Sequence, residues 1–171
     1  MLTGLVLLYV GIVLFQNGLW LHGRITSKEV VIPNIFSGAV LATVSLLLVV
    51  GNGVTIDAVR SSAVILLFGI TFLWVALNQR SEHDGRGLGW YCFAVAILLL
   101  PIAAEGFGAA TSTWGYWFAI CCVLWAILYA MFFLLLVRGA PIAGPTGWMA
   151  LFNSLVTGFL PGYLLLNGHV S

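Results

Sequence analysis

Few side chains in this sequence could do acid–base, nucleophilic or metal chemistry, and those few are scattered. The histidines are His22, His83 and His169, with no His-xxx-His pair. The cysteines are Cys92, Cys121 and Cys122. A structural zinc site needs a closed set of ligands, and a catalytic centre needs a nucleophile, a base and an orienting group that converge. The sequence offers neither, so no enzyme activity, metal or cofactor is expected. Adjacent Cys121 and Cys122 point to different faces of a helix and cannot easily bridge. The thiols read as small, polarizable packing residues.

The aromatic residues are better organised. Trp114, Phe118, Cys121 and Trp125 are spaced by four, three and four, which puts them on one helical face. Phe68 and Phe72 share another face. Trp114, Tyr116 and Trp117 also suit an interfacial aromatic belt, but Trp125 lies too deep for one. A charge-free aromatic stripe can line a narrow slot. Its planar faces admit a planar solute, and desolvation excludes hydrated ions. Gln16 and Asn17 end the first apolar run, Asn78 and Gln79 end the third, and Asn153 lies in the last. Thr71 and Thr157 sit within runs. An amide in hydrocarbon needs a partner, so these groups face a bundle interior. There they either bond between helices or meet a small polar solute.

Composition dictates what positions them. The chain is 62% hydrophobic and 6% charged, against about 25% charged in a soluble domain. A globule of this size leaves roughly a third of its unfolded surface exposed, so it cannot hide that much apolar area. Disorder needs the opposite composition. A net charge of +1 without a basic run excludes nucleic acid as a partner. An integral membrane protein remains, with lipid as its solvent. A membrane helix needs about 20 mostly apolar residues. Six runs qualify: 2–21, 30–50, 61–79, 87–104, 114–137 and 146–166. None contains Asp, Glu, Lys or Arg. They do not alternate as barrel strands do. The expected fold is all-α, a single transmembrane domain over 1–171 with no room for a soluble domain or a long lid.

Loop charges orient the chain. Arg24, Lys28, Arg80, Arg86 and Arg138 fall in odd-numbered loops and Arg60 alone in an even one. The odd loops are then cytoplasmic and both termini outside. Asp57 and Arg60 are expected in an outer loop, and Glu105 at the outer end of the fourth span. With no Asp, Glu or His at mid-depth and no charged ring, the bound species is expected to be uncharged. Gly4, Gly11 and Gly18 make one small-residue face; Ala150, Ser154, Gly158 and Gly162 make another. Such faces let helix backbones approach closely. Pro33, Pro101 and Pro161 fall in even-numbered spans. Pro33 is harmless near a helix start, whereas Pro101 and Pro161 should kink or end their helices. The alternation hints at three helical hairpins.

Several segments resemble the urea/amide channel family known as AmiS/UreI. Leu5-Val6-Leu7-Leu8-Tyr9-Val10-Gly11-Ile12-Val13-Leu14, followed by Asn17-Gly18, resembles its opening. Leu66-Leu67-Phe68-Gly69-Ile70-Thr71-Phe72-Leu73, with Ala76 and Asn78, resembles its third helix. Trp90-Tyr91 with Pro101, Val123-Leu124-Trp125, and Trp148 with Thr157-Gly158-Phe159-Leu160-Pro161 resemble the fourth, fifth and sixth. The resemblance implies a pore through the six helices of each protomer, a homo-hexameric ring in the cell membrane, and passive passage of urea or short aliphatic amides. It implies an inner constriction at Val10, Leu14, Phe72 and Trp125. An outer one falls at Leu7, Phe118, Cys121 and Leu124, with Thr3, and Phe68 is a further pore-lining aromatic.

The sequence departs from the acid-gated branch of that family. Asn153 stands where that branch has a pore-facing glutamate, and Phe118 and Cys121 where it has tryptophans. The outer loops are short and lack histidine. A charge switch near neutral pH normally needs one. The expectation is a passive channel, not acid-gated, for small uncharged amides and urea, with Asn17, Asn78 and Asn153 as polar contacts. The alternative is a non-conducting membrane assembly or sensor subunit, in which the same residues only pack.

Overall fold

A computed structural model describes residues 2–51, 54–81 and 83–170; Glu82, one of the third-loop charges, lies outside them. The described chain is helical, and six of its helices are long and apolar enough to cross a membrane. In order they are α1 (Leu2–Leu21), α2 (Val31–Gly51), α3 (Ile56–Arg80), α4 (Arg86–Ala109) and α5 (Thr113–Leu136), then a broken sixth. The last span consists of α6 (Ala143–Asn153), a π-helical turn (Ser154–Phe159) and α7 (Leu160–Leu166).

Two helices are longer than the apolar runs alone suggest. The Thr55 hydroxyl accepts from the Ala58 N–H at 3.2 Å, a side-chain N-cap. Asp57 then occupies the first turn, where the helix dipole favours an anion. Asp57 and Arg60 therefore belong to α3 and not to an outer loop. Pro101 does not end α4, which runs on to Ala109 and carries Glu105 in its last turns. Membrane helices tolerate such prolines because neighbouring groups satisfy the freed carbonyl. The third loop is tight. Gly85 holds φ at 77°, a left-handed conformation that a side chain resists, and the Asp84 carboxylate accepts from the Arg86 N–H. In the first loop Glu29 accepts from the N–H and hydroxyl of Thr26, which holds its carboxyl below the usual range.

The helices associate as three antiparallel pairs. α2 lies on α3 and α4 on α5 as consecutive hairpins, while α1 pairs with the last span. In the α2–α3 pair Ser45 and Ser62 donate to each other's carbonyls and Gly38 lies under Gly69. The two small-residue faces of the first and last spans meet each other. Gly4 faces Gly162, Gly11 faces Gly158, and Gly18 faces Gly147.

The π-helical turn makes that long seam possible. Residues four apart drift by about 40° per step around a regular α-helix. A wider turn lets that drift be taken back, so Ala150, Ser154, Gly158 and Gly162 are all buried. The Leu160 N–H reaches Leu155 O, one residue further than in an α-helix. The next donor would be residue 161, and proline has none. The indole N–H of Trp117 on α5 donates instead to Val156 O at 3.0 Å.

A Cβ on Gly158 would fall onto the Cα of Gly11, and one on Gly11 would lie 2.9 Å from the Phe159 nitrogen. These neighbours are backbone and cannot rotate away. Gly158→Ala is expected to cost about 1–3 kcal/mol by overpacking. Gly108→Ala, which would meet open space, should be neutral or slightly stabilising. Thermal unfolding of the purified variants in detergent checks the contrast.

Candidate functional site

Two cavities lie end to end along the bundle. The one on the side of the chain termini, called outer after the orientation expected from the loop charges, holds about 200 Å³ and is lined by Thr3, Val6, Leu7 and Val10 of α1, Leu41 of α2, Arg60, Ser61, Val64, Ile65 and Phe68 of α3, Ile102 of α4, and Phe118 and Trp125 of α5. The inner holds about 30 Å³ and is lined by Leu14, Asn17, Phe68, Thr71, Phe72, Val75, Leu88, Cys92, Trp125, Leu128, Tyr129 and Phe132. Phe68 and Trp125 line both. They form the wall between the chambers, ring centroids 4.8 Å apart and planes at 68°. This is the edge-to-face geometry that the ring quadrupoles favour.

Other rings brace that wall. Phe68 packs edge-on against Tyr129 at 5.4 Å and against Phe72 at 6.5 Å. Phe118 meets Trp125 at 6.0 Å from the outer side. Trp125 is 3% exposed and Phe68 5%, so neither ring is free to turn without displacing a neighbour. Among the described residues lining either chamber, Arg60 at the outer mouth is the one charged side chain.

The polar groups around the chambers are turned toward one another. Thr71 donates to Leu67 O at 2.9 Å, so its 2.8 Å contact with Tyr129 has the phenol as donor. Tyr91 also donates to Leu67 O. Trp125 Nε1 donates to Thr157 Oγ1 at 2.8 Å, and Thr157 donates to Asn153 O at 2.7 Å. Asn17 and Asn34 exchange side-chain hydrogen bonds at 3.2 and 2.7 Å, and Asn34 also donates to Val30 O. The hydroxyl protons of Thr71, Tyr91, Tyr129 and Thr157 and the indole proton of Trp125 are thus spent within the protein. What faces the cavities is apolar and aromatic surface with few unsatisfied donors.

The residues expected at the site separate into two groups. Leu7, Val10, Phe68, Phe118 and Trp125 line the outer chamber; Leu14, Asn17, Phe68, Phe72 and Trp125 line the inner. Val10, expected at the inner constriction, faces the outer chamber. Cys121 and Leu124 line neither. Cys121 shares the face of Phe118 and Trp125 and is buried, but away from both chamber linings. Leu124 is rotated about 100° from Trp125 on α5 and is only half-buried. Asn78 is half-buried beside Gly85 and away from both chambers. Asn153 is fully buried; its Nδ2 donates to Met149 O, and its Oδ1 has no hydrogen-bond partner among the described residues.

Sequence reading missed Asn34, Cys92, Leu128, Tyr129 and Phe132. Asn34 had a signal, an amide inside an apolar run. Leu128, Tyr129 and Phe132 continue the Trp125 face by three- and four-residue steps, so extending the stripe would have found them.

The chain is a six-helix bundle of membrane-spanning length with two charge-poor, aromatic-lined chambers, an architecture of the transporter class. The sequence pattern of AmiS/UreI family transporters matches residues 2–169, and the chain belongs to that family. It is 35% identical over 97% of its length to a Mycolicibacterium smegmatis protein assigned to amidate-substrate transport, covering 77% of that relative. It is 28% identical over 98% of its length to the acid-activated urea channel of Helicobacter pylori strain J99, covering 99% of it. Its fold superimposes on the closed-state structure of the Helicobacter pylori urea channel with a TM-score of 0.89 at 29% identity, over 98% of this chain and 99% of the other.

The reciprocal amides give a test of the site's framework. Asn34→Leu removes the amide partner of Asn17, and Asn17→Leu leaves Asn34 Oδ1 without its donor; each is expected to destabilise by about 1–3 kcal/mol. The double variant should lose less than the sum, with a coupling of roughly 0.6–1.7 kcal/mol as for other intramembrane pairs. A double-mutant cycle of unfolding free energies in detergent measures it.

Proposed function

We propose that this chain is a passive membrane channel for small uncharged amides and urea. The observation that carries the proposal is the pair of apolar chambers parted by Phe68 and Trp125, with no carboxylate, imidazole or lysine among the described residues of either wall. A charged solute would have to shed its hydration against hydrocarbon and ring faces at a cost of many kcal/mol. A small amide sheds only a few hydrogen bonds. It can slide between Phe118, Phe68, Trp125 and Phe72 with weak contacts, and weak binding at several points keeps transit fast. Asn17 is the side-chain amide on the path. The relatives' assigned roles, amidate transport and urea conduction, agree with this solute class.

The reading includes little dependence on pH. Histidine is the usual sensor near neutrality, and His22, His83 and His169 line neither chamber. The loop charges support a multi-pass protein of the cell membrane with both termini outside. The family resemblance supports a homo-hexamer with one path per protomer. Exposed apolar side chains such as Ile32, Phe36, Leu46 and Trp90 are then covered by lipid or by neighbouring protomers.

The test is stopped-flow light scattering on proteoliposomes under gradients of acetamide, urea and glycerol, at acidic and neutral pH. Fast amide or urea entry of similar rate at both pH values is expected. Entry no faster than in empty liposomes would favour the non-conducting assembly or sensor subunit. Trp125→Ala should join the chambers and raise glycerol entry relative to acetamide by about tenfold, at the low end for a methylene-scale change in a pocket. Unchanged rates for all three solutes would remove Trp125 from the constriction.

A further inference from the structure

We infer that Thr157, presented by the π-helical turn, is a positioning residue that sets the Trp125 indole and thereby the selectivity of the path; the inference rests on the channel reading above. Trp125 is the one indole that lines both chambers. A buried indole N–H needs an acceptor, and the acceptor is Thr157 Oγ1 at 2.8 Å. The Thr157 hydroxyl proton is itself committed to Asn153 O at 2.7 Å. The hydroxyl therefore cannot rotate to donate elsewhere, and a lone pair stays aimed at α5. Both residues are shielded, Thr157 at 0% exposure and Trp125 at 3%. Water cannot substitute for the threonine without entering the wall.

The backbone is built to hold that oxygen in place. Thr157 lies within Ser154–Phe159, where the wider turn alters the direction of side chains relative to a regular helix. On one side the turn is pressed against Gly11. On the other it is tied to α5 by Trp117, whose N–H takes the carbonyl of Val156 that Pro161 leaves free. Two indoles of one helix thus bond to consecutive residues of the same turn. Trp117 holds the turn to α5, and the turn holds Trp125. Phe68 and Phe118 pack T-shaped against the Trp125 ring, and the N–H bond to Thr157 adds a directional tie to that packing.

The experiment compares Thr157→Val, which keeps the shape and removes the acceptor, with Thr157→Ser, which keeps the acceptor. Thr157→Ala gives a second acceptor-free variant should valine fold poorly. Each is labelled with fluorotryptophan and followed by fluorine NMR in detergent. The Trp125 resonance, one of seven from the seven tryptophans, is assigned by its loss in Trp125→Phe. Flux of acetamide and glycerol into proteoliposomes is measured in parallel. Thr157→Val and Thr157→Ala should move the Trp125 resonance and raise glycerol entry relative to acetamide by about tenfold, while Thr157→Ser should keep both near wild type. Wild-type flux ratio and resonance in the acceptor-free variants would overturn the inference alone. So would a serine variant that behaves as the valine variant does. Absence of flux in the wild-type protein would overturn the channel reading and the inference with it, and the resonance shifts would then report only a packing bond.

Discussion

The approach of α1 to the last span, backbone against backbone at Gly11 and Gly158, is the constraint on which the site depends. A close crossing at one point is common among membrane helices. This one extends from Gly4 against Gly162 to Gly18 against Gly147, nearly the whole thickness of the bundle. A regular helix would carry its small residues off the seam. The π-helical turn keeps them on it, and in doing so it exposes the Val156 carbonyl that Trp117 takes up. α5, packed along α4, is tied to the last span by that bond and by its neighbour from Trp125 to Thr157.

The second organising fact is where the protons point. Buried donors are nearly always paired, because an unpaired one costs about 1–3 kcal/mol. Here the pairing is directed away from the cavities: Thr71 to Leu67, Tyr129 to Thr71, Thr157 to Asn153 and Trp125 to Thr157. The few polar residues in the walls thereby leave the chambers a largely apolar surface. Strong fixed donors would bind an amide tightly and slow its release. The same arrangement stiffens the aromatic ring cluster, since the hydrogen bonds fix Trp125 and Tyr129 while Phe68 packs between them.

Much of the fold was legible because the membrane imposes one rule on every span. Long uncharged runs gave six helices, and glycine and small-residue spacing gave the two faces that meet. The aromatic stripe of α5 could be read because spacing by three and four is helical whatever surrounds it. What could not be read depended on other segments. The start of α3 at Ile56 is set by the Thr55 cap, a local signal that the search for apolar residues passes over. The π-helical turn needs both Pro161 and a partner helix that demands a straight seam. Cys121 shares the face of Phe118 and Trp125 but lines neither chamber, which depends on how the neighbouring helices pack and not on face alone. The Asn17–Asn34 pair joins residues from different helices, and one sequence does not reveal which amides will meet.

The unequal size of the two chambers bears on the kinetics of transport. The outer cavity, at about 200 Å³, holds several small molecules. The inner, at about 30 Å³, is of the order of a single water's share of liquid volume. On the proposed path a urea or acetamide molecule waits in the outer chamber and advances only when rings and leucines on the inner side part. Close-packed interiors resist such parting, so on the proposed path the slow step is expected to be a thermal fluctuation of the protein and not diffusion of the solute. Transport through such a path has a high activation enthalpy, and its rate climbs with temperature more steeply than flow through an open, water-filled pore.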